Sequence, residues 1–121
     1  MQLSALFRRA VVVACDDETE DQLRGNNIVS PVSVRLISLP DDNAFHLLHS
    51  TGLFEHFNSA FGTLIGDYEE DFISLEHLDE AIRIVDAMIK SKRIHKGDVI
   101  HRIRELLDFA KRNGRSVFFV L

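Results

Sequence analysis

Two short runs, Ala10-Val11-Val12-Val13-Ala14-Cys15 and Val117-Phe118-Phe119-Val120-Leu121, constrain this chain more than any other feature of it. Each is apolar throughout and rich in β-branched or aromatic side chains, which fits a buried strand. Neither approaches the roughly 18 apolar residues that a bilayer-spanning helix requires. The spacing predicts strands near 10–15 and 116–121, the second ending the chain inside the sheet. Another strand is expected at 32–39, where Val32, Val34 and Leu36 alternate with Ser33, Arg35 and Ile37 between Pro31 and Pro40. Residues 68–73 read as either a short edge strand or a loop.

The middle of the chain has helical patterning. Asp41-Asp42 suits the cap of a helix through Phe45, Leu47 and Leu48, ending near Gly52. Leu53, Phe54, Phe57 and Phe61 then form one apolar stripe. Ser74 suits an N-cap, followed by Leu75, Leu78, Ile82, Val85 and Ile89 at helical spacing. Asp98 suits the cap of a last helix with Val99, Ile103, Leu106, Leu107 and Ala110 inward, stopped by Asn113-Gly114. Asp16–Arg24 reads as a short helix or an exposed connection. These elements predict an α+β fold: a small mixed or antiparallel sheet covered on one face by three to four helices.

At 121 residues with 45% hydrophobic composition, residues 1–121 form one domain with enough apolar side chains for a core. The lone cysteine, Cys15, excludes an intrachain disulfide and is expected to be buried and reduced. Arg8 and Arg9 follow the first apolar stretch instead of preceding it, the wrong order for a secretory signal. A cytoplasmic protein without membrane association is expected.

Few residues here suggest catalysis. Asp16 and Asp17 follow the first strand, where carboxylates can hold a divalent cation for a small metal-dependent hydrolase. The opening resembles that of a phosphoacceptor receiver domain. No apolar strand precedes Asp67, however, and no lysine follows the last strand. His46 and His49 are three apart on a helix, a spacing compatible with zinc, but further ligands are not evident. Cys15 is followed by Asp16, Asp17, Glu18, Glu20 and Asp21, which disfavour a reactive thiolate. No Gly-x-Ser-x-Gly elbow or glycine-rich phosphate loop is present. Neither cofactor nor catalytic residue is assigned.

Charge is unevenly distributed. Residues 1–86 hold five Lys/Arg against sixteen Asp/Glu, a formal charge of −11, whereas residues 87–121 hold nine against three, or +6. Acid concentrates at Asp16, Asp17, Glu18, Glu20 and Asp21, then again at Asp67, Glu69, Glu70 and Asp71 around Tyr68. Such segments suit attraction of a basic protein, with Tyr68 as the apolar anchor that charge alone cannot supply. The basic C-terminal helices offer a nucleic-acid-binding alternative. It is not favoured, because the net charge is −5 and interleaved aromatics are scarce. A third reading is that the two halves attract one another within the fold.

Gly52-Leu53-Phe54-Glu55-His56-Phe57-Asn58, then Gly66-Asp67-Tyr68-Glu69-Glu70, then the helix from Leu75 to Lys90, cover about a third of the chain. Over these segments it resembles small acidic bacterial immunity proteins, which accompany polymorphic or contact-dependent growth-inhibition toxins. The resemblance implies a non-enzymatic cytoplasmic inhibitor that covers the active site of a cognate toxin, such as a nuclease. It also implies Asp67, Glu69 and Glu70 as contacts beside Asp16 to Asp21.

Overall fold

The computed structural model describes residues 9–25, 33–39, 42–66, 70–92 and 98–121. In it the first apolar run forms β1 (Ala10–Ala14) and the last forms β4 (Val117–Val120), paired antiparallel with Val12 opposite Phe118. On the other side of β1 lies β2 (Val34–Ser38), with Leu36 opposite Val12. Beyond β4 lies β3 (Glu70–Ile73), with Phe72 opposite Phe118. The sheet is thus antiparallel in the order β2-β1-β4-β3. Its two wholly apolar strands take the interior positions.

One face of the sheet carries most of the core. Val11, Val13, Ile37, Ile73, Val117 and Phe119 project into it and meet four helices. These are α2 (Asp42–Ser50), α3 (Leu53–Phe61), α4 (Leu78–Lys92) and α5 (Val99–Asn113), which follow α1 (Asp17–Arg24) along the chain. Phe54 and Phe57 each bring their rings to 6.0 Å from that of Phe119, so the Phe stripe of α3 seats on the central strand. The expected α+β arrangement is observed.

The other face is not open. Ala10, Val12, Ala14, Phe118 and Val120 form a second, smaller cluster with Leu23 of α1 (Asp17–Arg24). The acidic segment is therefore a helix lying on the face opposite the other four, where no covering helix was expected. Asp16 caps it by accepting from the Thr19 backbone N–H at 2.7 Å. Asp17, Glu18 and Glu20 occupy its first turn, the favourable end for acids.

Three local expectations need correction. Cys15 is exposed, one residue beyond the point where β1 leaves the core. The helix expected after Ser74 starts at Leu78; residues Leu75–His77 form a 3-10 turn, and the Ser74 side chain makes no capping bond. Its hydroxyl lies 3.3 Å from the Glu76 carboxylate, and Leu75 is left 46% exposed instead of joining the stripe. Leu47 also points outward, 63% exposed. Pro31, Pro40, Asp41 and the margins of the expected strands at Val32 and Tyr68–Glu69 lie outside the described residues.

The Asn113-Gly114 stop is observed in full. Gly114 has φ +66°, its N–H donates to Lys111, and the Arg115 N–H donates to Ala110. This pair of bonds closes the helix and turns the chain directly into β4. A side chain at Gly114 meets open space but a disfavoured backbone. Gly114→Ala is therefore expected to cost about 1–2 kcal/mol by urea denaturation. Phe119→Ala, which empties the centre of the core, should cost about 3–5 kcal/mol.

Candidate binding surface

α1 is fastened to the start of β4 by its own side chains. Glu20 Oε1 accepts from the buried Ser116 backbone N–H at 2.6 Å, and Arg24 donates to the Ser116 hydroxyl at 2.9 Å. Asp17 pairs with Arg115. Asp17, Glu20 and Arg24 are spaced three and four apart, which puts them on one side of the helix. The Arg24 guanidinium also covers the Phe72 ring at 4.9 Å from its centroid, setting the last turn of α1 against β3.

This attachment divides the acids read from the sequence into two groups. Asp16 and Asp17 are engaged as cap and ion-pair partner, and Glu20 as acceptor for β4. Glu18 and Asp21 are exposed and form no ion pair among the described residues. In the second acidic segment, Asp71 is turned inward to hold the preceding loop. One of its oxygens accepts from the Leu64 N–H at 2.8 Å and the other from the Phe72 N–H at 2.7 Å. Asn58 fixes the same loop from α3, donating to the Ile65 carbonyl and accepting from the Ile65 N–H and the Thr63 hydroxyl. Glu70 opens β3; Asp67, Tyr68 and Glu69 lie outside the described residues. The loop that leads into the second segment is thus rigidly tethered, and β3 adjoins α1.

The residues considered for metal chemistry are not assembled. No group of three His, Cys, Asp or Glu suited to a metal ion occurs among the described residues. His49 packs against both Phe45 and Phe54 at 5.5 and 5.9 Å, those two rings lying 6.0 Å from each other, and His46 meets the edge of Phe45 at 5.4 Å. Both histidines therefore extend an aromatic cluster.

Three cations of the basic half pair with acids of the other half among the described residues. Arg104 bonds Asp86 at 2.7 Å, Lys111 bonds Asp79 at 2.6 Å, and Arg115 meets Asp17. Within α5, Asp108 lies between Arg104 and Arg112. The opposite charges seen in the sequence thus meet across α4–α5 and across α1–β4. These exposed pairs orient more than they stabilise. Comparison with models of known families, with curated proteins and with solved structures yields no match.

Two carboxyls carry an acid sensitivity. Hydrogen bonds from Thr19, backbone first, hold Asp16 below the ordinary carboxylate range, and the Lys111 bond does the same for Asp79. Both favour the folded state above the unfolded carboxyl pKa of about 3.9 and lose that contribution as pH falls through their lower folded values. The melting temperature should therefore drop as pH is lowered from 5 to 3. Asp16→Asn, which keeps the cap, should shallow that drop. Glu20→Ala strands the buried Ser116 N–H and should cost about 1–3 kcal/mol, whereas Glu20→Gln, which keeps an acceptor oxygen, should cost less.

Proposed function

We propose that the protein is a non-enzymatic binding module that recognises a basic partner protein through α1 and the acidic segment at β3. The observation that carries this reading is the attachment of α1 to Ser116 and Phe72, which holds exposed Glu18 and Asp21 on a rigid support beside the strand that Glu70 opens. A preorganised acidic surface attracts a cationic partner from a distance and loses little conformational freedom on contact. The resemblance to immunity proteins gives the partner its class, a cognate toxin whose cleft, if it is a nuclease, is itself cationic. A cytoplasmic location accords with that role, and no described helix is long and apolar enough to cross a membrane.

The alternatives have less support. A hydrolase would use Asp16 and Asp17 or the His46/His49 pair, yet Asp16 caps α1, Asp17 pairs with Arg115 and both histidines pack on Phe45. A nucleic-acid module would need the cations of α5, of which Arg104, Lys111 and Arg112 face carboxylates.

The test is affinity purification of the tagged protein from its host, with identification of co-purifying chains. Stoichiometric recovery of one basic protein is expected. Glu18→Lys combined with Asp21→Lys should weaken that complex at least tenfold, mostly through slower association. Tyr68→Ala should weaken it by a similar or larger factor if the ring is the anchor. Recovery of no specific protein, or a complex indifferent to the charge reversals, would overturn the assignment.

A further inference from the structure

At the sheet edge opposite β3, β2 borders two adjoining recesses that the proposed acidic surface does not use. The larger, about 370 Å³, opens between the end of β2, α2 and the start of α5. Its lining is mainly aliphatic: Leu39 and Leu48 are buried, Leu47 stands at 63% exposure, and Val99 contributes from α5. The smaller, about 160 Å³, runs between β2 and α5 and includes Arg35 and Glu105. Arg102 borders both.

Arg102 differs from most cations of its helix. Arg104, Lys111 and Arg112 all lie against carboxylates, whereas Arg102 has no ion pair among the described residues. Arg35 adds a second guanidinium, held over the Phe109 ring at 4.7 Å. Two carboxylates share the neighbourhood. Asp98, which caps α5 by accepting from the Ile100 N–H at 3.0 Å, lines the larger recess with Arg102, and Glu105 lines the smaller one with Arg35 and Arg102. The charges around the junction of these recesses therefore balance, two guanidiniums against two carboxylates, and Arg102 stands out there by lacking an ion pair among the described residues. The junction joins an aliphatic hollow of the size small ligands occupy, roughly 300–1,000 Å³.

We infer that this site binds a small aliphatic monocarboxylate, its tail among Leu39, Leu47, Leu48 and Val99 and its carboxylate on Arg102. The guanidinium fork matches a carboxylate bidentately, and the tail covers Leu47. The absence of aromatic side chains among the residues lining the hollow favours a flexible chain over a flat ring.

Isothermal titration with sodium octanoate, below its micellar range, tests the inference. One saturable site with sub-millimolar affinity is expected, and 1-octanol should bind at least tenfold more weakly. Arg102→Gln should reduce octanoate affinity about tenfold. Leu47→Glu, at an exposed position that the fold does not need, should abolish binding by putting a charged group where the aliphatic tail would lie. Circular dichroism should be unchanged in both variants. Absence of saturable heat from the native protein, equal binding of octanol, or undiminished affinity in folded Arg102→Gln would each overturn it.

Discussion

The bond from the Ser116 backbone N–H to Glu20 is the constraint on which the arrangement turns. Ser116 is buried at the entry to β4, and β4 joins β1 to β3. A buried N–H without an acceptor at that point would be costly. Glu20 satisfies it from a helix on the far face of the sheet, and Arg24 takes the hydroxyl of the same serine. One residue is thereby held by two side chains, and the second apolar cluster gains its cover from Leu23 in the same stroke. Sheet closure and the placement of α1 are one event.

The same interaction explains what becomes of the charges. Acids at 16–21 look in sequence like a free anionic loop, but three of the five are structural. Asp16 caps its own helix, whereas Asp17 and Glu20 find their partners in Arg115 and the Ser116 N–H, nearly a hundred residues away. The acidic and basic halves of the sequence are in part complementary halves of one surface. Glu18 and Asp21 remain outward, and Arg102, without an ion pair among the described residues, lies at the other sheet edge. Charge free for recognition is therefore less than composition suggests.

Much of the fold was legible because its signals are local. The alternation-free runs at 10–15 and 116–121, the Phe stripe at 53–61 and the Gly114 stop all refer to neighbours in sequence. The location of α1 was not, although an unbroken apolar strand already implies cover on both faces. The missing signal was the Asp17, Glu20, Arg24 spacing, which reads as a solvated helix until Arg115 and Ser116 are known to lie beneath it. Ser74 misled for a related reason: a good capping residue opened a 3-10 turn, and the hydrophobic register that builds the helix begins only at Leu78. Asp71 resembled a surface acid because nothing in the sequence indicates that the loop at Leu64 returns to within hydrogen-bond distance of it.

The position of β4 between β1 and β3 also sets the order in which this molecule can be made. During synthesis β1 can pair with β2 once a few dozen residues have emerged from the ribosome. Its other edge, Ala10 to Val12, must wait for residues 118–120. β3 has no partner strand at all until then. Pairing across so long a separation is slow to find. Until residues 118–120 emerge, the nascent chain thus carries an apolar half-sheet with an open edge, the condition under which holding chaperones bind and aggregation is favoured.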